Sequence, residues 1–339
     1  MRRERSPTKV SPQKGTGRDS TPPNPHRDSG ESTPIQTFPD GVKVLHVCPD
    51  ATIDICFVHG LTGDRESTWT AEGQSAPWPK ILLPPRLETA RILTYGYDAY
   101  VVRKGVAGSN RLIDHAKNLL HDLTGDRGVC NASSRPIAFV AHSLGGLVVK
   151  EAVLLSRNNP EAHLRGIFDC VKGIVFMGTP HQGSWMADWA KISAAALSLL
   201  KSTNKSLLDI LETDSQQLES IQDRFWSMVR ELRENGRPLE VMCFAEEKAL
   251  PLVGKVVSRE SATLTGYSSS SIPANHRDMV RFTSAEETGF KRVLAELARW
   301  ESQAGQCKQL SRLLPSGDWS PSTQGNDGAA TGKKDYCEP

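Results

Sequence analysis

No run of this 339-residue chain approaches the roughly 18 consecutive apolar residues of a spanning helix, so a transmembrane segment is excluded on this pattern. The seven cysteines contain no C-x-x-C pair, which argues against a disulfide scaffold and a structural zinc site and makes a reducing, intracellular setting the default. An excess charge of either sign is also missing: 41 Lys and Arg stand against 39 Asp and Glu, a formal net charge of +2. No strong basic field is available to hold phosphates, so no nucleic-acid partner is expected, and anionic membrane surfaces are no better supported. The pattern H-E-x-x-H does not occur, and His59, His142, His181 and His276 are scattered through separate segments, so no metal is expected. Nor is there a G-x-G-x-x-G fingerprint, which leaves no reason to expect a dinucleotide or other cofactor.

What the chain does have is a middle unlike its ends. With 38% hydrophobic residues it can bury a sizeable core, and the length allows two domains but fits one large α/β domain equally well. Residues 1–42 read as a flexible N-terminal arm, since positions 1 to 40 hold seven of the 21 prolines and few large apolar side chains. Asp19 and the clustered prolines argue against a mitochondrial transit peptide, and no apolar stretch follows the basic residues as a secretory signal requires. The expected placement is intracellular and cytoplasmic, with mitochondrial or endoplasmic-reticulum association left open. The domain is expected over residues 43–303, and residues 304–339, polar and rich in Gly, Ser and Pro, read as a second flexible tail.

Between the arms, short apolar runs alternate with helical patterns. Thr52 to Val58, Arg91 to Tyr95, Pro136 to Ala141, Val171 to Met177 and Leu239 to Phe244 read as strands. Asn110 to Leu123, Leu144 to Leu155, Ala187 to Leu200, Ser215 to Arg233 and Ser284 to Trp300 read as helices. Strands apolar on both faces and separated by helices predict a mostly parallel central sheet flanked by helices. His163 falls in an apparent connection, and the stretch before Ile272 reads as a Ser-rich loop.

Ser143 is the candidate nucleophile. It stands in Ala141-His142-Ser143-Leu144-Gly145, where a predicted strand meets a predicted helix, the setting of a strained strand-to-helix turn with small neighbours two residues away on either side. A serine needs a base and an orienting acid, expected later in the chain in the order acid, then histidine. His276 is the base by elimination and context. Glu246 is favoured as the acid because it stands nearest the end of strand Leu239–Phe244, with Glu247 next. The backbone amides of Leu61, in the His59-Gly60-Leu61 loop, and of Leu144 are candidate oxyanion donors. Trp69, Trp78, Trp185 and Trp189 either line an acyl or lipid pocket or serve as packing.

These segments together resemble the serine-esterase and lipase branch of the α/β-hydrolases. The carrying motifs are VHGLTGDRESTW (Val58–Trp69), WPKILLP (Trp78–Pro84), ILTYGYDA (Ile92–Ala99), FVAHSLGGLVVKEA (Phe139–Ala152), GIVFMGTPHQGS (Gly173–Ser184) and IPANHRDMVRF (Ile272–Phe282). The pattern is similar to the serine-active-site-containing proteins and, more distantly, to glycosylphosphatidylinositol inositol-deacylases and the hydrolase domains of fungal immune-type receptors. The resemblance implies an α/β-hydrolase fold and ester hydrolysis through an acyl-enzyme, with Ser143 as nucleophile, His276 as base, Glu246 as acid, and Leu61 and Leu144 as oxyanion donors. One departure is Cys243-Phe244-Ala245-Glu246, where relatives tend to carry Ser-Phe-Tyr-Glu. Gly178 to Gly183 is expected at the pocket edge, with His181 near the chemistry but not its base. The substrate expected is a small-molecule or lipid ester. Peripheral membrane contact stays open, protein partners are unknown, and a hydrolase-fold signalling or interaction module is the alternative.

Overall fold

Val, Ile and Phe side chains that pack on both faces of a pleated ribbon favour a buried strand, and the run IDICFV forms one. In the computed structural model, which describes residues 40–61, 63–97, 108–181, 215–251 and 254–313, this strand is β2 (Ile53–Val58), buried along its whole length. The other strands are β1 (Gly41–His46), β3 (Ala90–Gly96), β4 (Ile137–His142), β5 (Val171–Met177), β6 (Glu240–Glu246) and β7 (Ser268–Ile272). They form one sheet in the order β1-β3-β2-β4-β5-β6-β7, with β1 antiparallel to β3 and every other pair parallel.

The described helices are α1 (Trp78–Leu82), α2 (Gly108–Val129), α3 (Gly145–Arg157), α4 (Ala162–Cys170), α5 (Ser215–Glu234), α6 (Arg259–Ala262) and α7 (Thr288–Leu313). The period-two alternation of each strand divides the core. Cys56, Val58, Phe139 and Ala141 face one cluster with α2, α3, α4 and α5, while Ile55, Phe57, Ala138 and Val140 face another with α1 and α7. Both faces of the sheet are therefore covered, as an apolar parallel sheet requires.

At the amino end of the sheet, the fully buried Asp54 on β2 binds cations from three directions. Arg91 of β3 donates to both its carboxylate oxygens at 3.0 and 3.2 Å, Arg135 reaches it at 2.8 Å, and Arg127 at the end of α2 completes the cluster. A buried carboxylate is tolerable only when so paired.

Several sequence expectations need correction. The Ser-rich loop before Ile272 is β7, an edge strand that serine's weak strand preference conceals and pairing with β6 imposes. His163 lies in α4 and not in a connection. Strand β1 takes Gly41 and Val42 from the expected arm, Gly41 at φ 77°, and ladders against β3. The final helix, expected over Ser284 to Trp300, spans Thr288–Leu313 and so passes the expected domain end at 303, with Ala304 still buried and good helix formers beyond it. The helix expected at 187–200 lies outside the described residues, and among the described residues no helix is long and apolar enough to cross a membrane.

Candidate active site

In an open parallel sheet, ligands bind beyond the carboxyl ends of the strands, and four of those ends carry the predicted residues. Ser143 follows β4 directly. Its φ of 52° is left-handed, a conformation that a residue with a Cβ adopts only when its surroundings hold it. The holding groups are visible: the Ser143 N–H donates to the Met177 carbonyl at 3.0 Å, and the Ser143 carbonyl accepts from the Thr179 hydroxyl at 3.0 Å and the Gly146 amide at 3.1 Å. The loop after β2 presses against this turn. A Cβ at Gly145 would lie 2.3 Å from the His59 carbonyl oxygen, so only glycine lets the two segments meet.

His276 follows β7 and is buried. Its loop is shaped by Asn275, whose side-chain oxygen accepts from the amides of Arg277 and Asp278, both at 3.0 Å. Its carbonyl is held by His142 Nε2 at 3.0 Å, and the two imidazole rings lie 4.8 Å apart. Burial, with His276 close by, keeps the His142 pKa well below the ordinary histidine value, so the ring stays neutral and donates from Nε2.

Glu246 ends β6, buried, with one oxygen, Oε1, accepting from the amides of Val256 and Val257. The other oxygen, Oε2, lies 3.4 Å from His276 Nδ1. Glu247, the second candidate, is exposed and turns away, accepting from the Ser271 hydroxyl at 2.6 Å and lying 3.6 Å from Arg292. The Ser143 hydroxyl and both ring nitrogens of His276 are buried without a hydrogen-bond partner among the described residues. Such contacts commonly tighten only when substrate occupies the site.

Neither the Leu61 amide nor the Leu144 amide finds an acceptor among the described residues. How Leu61 is aimed depends on a residue whose role the sequence did not disclose. The Tyr97 amide donates to His59 Nε2 at 3.3 Å, which makes that nitrogen the acceptor and leaves the proton on Nδ1. His59 Nδ1 then donates to the Gly60 carbonyl at 2.9 Å, and the Gly63 amide joins it at 3.2 Å. In a planar trans peptide the N–H of Leu61 points opposite the Gly60 carbonyl, so pinning one aims the other. Tyr97 stacks on the His59 ring with centroids 4.3 Å apart, and burial pushes the His59 pKa down to about 4, keeping it neutral. A motif match names His59 and His142 but gives no sign of these roles, because their partners are distant in the chain.

Trp69 and Trp78 do not face a lipid pocket. Both are buried in edge-on packing with Phe57, and Trp78 Nε1 donates to the Val280 carbonyl at 2.8 Å. Trp185 and Trp189 lie outside the described residues. Among the described residues no group of three or more His, Cys, Asp or Glu side chains is placed to hold a metal ion.

Strand order, the antiparallel first strand and the serine turn after β4 make this an α/β-hydrolase fold. The family described as "Putative serine esterase (DUF676)" matches residues 110–240, from α2 to the start of β6. Protein SERAC1 of Danio rerio is 30% identical over 235 residues, covering 62% of this chain and 33% of that protein. Protein SERAC1 of Mus musculus is 26% identical over 293 residues, covering 76% of this chain and 41% of that protein. The chain thus spans about a third to two fifths of the length of these curated relatives. Among solved structures, a lipase-esterase related protein from Clostridium acetobutylicum is 15% identical at a TM-score of 0.39, covering 76% of this chain and 99% of that one.

Proposed function

We propose that this protein is a serine hydrolase that cleaves carboxylic esters, lipid esters among them, through an acyl-enzyme intermediate. The observation that carries the reading is the left-handed Ser143, its hydroxyl unpartnered, in a site where the buried Glu246 carboxylate lies 3.4 Å from the His276 ring. In this mechanism Ser143 Oγ attacks the ester carbonyl while the Nε2 atom of His276 takes its proton. Glu246, its other oxygen occupied by two backbone amides, holds the imidazole with Nδ1–H directed at Oε2 and offsets the charge of the imidazolium. The tetrahedral oxyanion is received by the amides of Leu61 and Leu144, aided by the N-terminus of α3. His276 then protonates the leaving alcohol, and water, activated by the same ring, releases the acid. The similarity to a serine-esterase family supports the choice of ester substrates.

The test is turnover of p-nitrophenyl esters of increasing acyl length by the purified chain and its Ser143→Ala and His276→Ala variants. Hydrolysis by the wild type and its near-complete loss in both variants is the expected result. A folded wild type that hydrolyses none of the series would transfer the case to a hydrolase-fold interaction module.

A further inference from the structure

Helix α3, which starts at the serine turn, carries a lysine with no place in this mechanism. Lys150 is fully buried. Its Nζ sits 2.7 Å from His181 Nδ1, donates to Gln222 Oε1 on α5, and lies over the rings of Trp226, Phe176 and Phe225 at 4.7, 5.0 and 5.5 Å. Burial drives the Lys150 pKa well below the ordinary lysine value. A buried amine is costly, and an apolar residue of similar volume would pack here more cheaply, so its polar contacts call for a reason.

The contacts converge on one turn, Gly178 to His181, just after β5. Gln222 donates from Nε2 to the Pro180 carbonyl at 2.8 Å, which fixes its amide and presents Oε1 to Lys150. The His181 ring is gripped between Lys150 at Nδ1 and Cys243 Sγ, 3.4 Å from Nε2, and its amide donates to the Ser261 carbonyl at 2.7 Å. The near end of the turn touches both halves of the candidate site. The Thr179 hydroxyl holds the Ser143 carbonyl, and Gly178 at φ 59° packs so closely that a Cβ there would lie 2.8 Å from His276 Cε1.

We propose that Lys150 is a positioning residue: through His181 and Gln222 it fixes the Gly178–His181 turn, and that turn sets the Ser143 hydroxyl against the His276 ring. The inference rests on the reading of Ser143 and His276 as nucleophile and base. It accounts for a polar head on the buried helix that leaves the nucleophile. It also gives His181 a structural task near the chemistry without a proton-transfer role.

The experiment compares Lys150→Met, which keeps the volume and removes the amine, with Gln222→Leu and with Val153→Ala, a core truncation on the same helix. Two readouts are taken: kcat and KM on a p-nitrophenyl ester, and the imidazole NMR resonances of His276, assigned by their loss in His276→Gln. Lys150→Met is expected to lower kcat about 10- to 100-fold with little change in KM, as small misplacements of reacting groups do. It should also move the His276 resonances, with Gln222→Leu moving both readouts in the same direction and Val153→Ala neither. Should Lys150→Met not fold, Gln222→Leu decides. A wild type without turnover would defeat the ester-hydrolase reading, and the His276 resonances would then judge the positioning role alone. Unmoved resonances, or an unchanged kcat in an active background, overturn the proposal.

Discussion

Holding Ser143 in the left-handed region costs on the order of 1–3 kcal/mol. The amide of Ser143 on Met177 and the Thr179 hydroxyl on its carbonyl are the contacts that offset it. A similar economy of local contacts separates the two glutamates. Glu246 has one oxygen filled by backbone amides and the other facing His276, whereas Glu247 is spent on Ser271 and Arg292. With Glu246 as the acid, Glu246→Gln should keep the shape but lower kcat on the order of 10²- to 10⁴-fold, and Glu247→Gln should stay near wild type. Steady-state kinetics of the two folded variants checks this, and the reverse pattern would move the assignment by one residue. Ser143 stands out in the sequence because its strand-to-helix turn is written in its own chain neighbours, whereas His276 is reached by elimination and by its place before the last helix. His59, His142 and Lys150 act through partners 31 to 134 positions away, as in His59 with Tyr97, His142 with His276 and Lys150 with His181, and no local pattern encodes such pairings.

Among the elements, the five central strands were legible from their apolar runs, because burial on both faces leaves a signal independent of partners. The two edges were not. β1 is short and buries one side chain, Leu45, and β7 is four serines before Ile272, so each becomes a strand only by pairing with its neighbour. The Asp54 cluster was hidden in the same way: its charges come from β2, β3, α2 and the approach to β4. Asp54→Ala leaves buried guanidinium groups without their carboxylate and should cost about 3–5 kcal/mol. Urea unfolding monitored by circular dichroism measures it, and a loss below about 1 kcal/mol would show that Asp126 and backbone carbonyls suffice.

For the molecule as a whole, the buried histidines set a pH window. Burial lowers His59 to about 4 and holds His142 and His181 well below the ordinary value. An unfolded chain protonates histidine near 6.5, so between that pH and about 4 it binds more protons than the native state. Stability from these groups is therefore full above about pH 6.5 and falls as the pH drops, by up to roughly 1.4 kcal/mol per pH unit for each histidine. Thermal melts from pH 7.5 to 4.5 should show this decline, with a shallower slope in His59→Gln, and a flat profile would contradict it. Covalent labelling with a fluorophosphonate tests, without knowledge of the natural substrate, whether Ser143 is a nucleophile activated by its setting. Mass spectrometry of the labelled, digested protein should place one phosphonyl adduct on the peptide containing Ser143, absent in Ser143→Ala. A folded wild type that takes no label, or takes it on another residue, would contradict a nucleophilic Ser143.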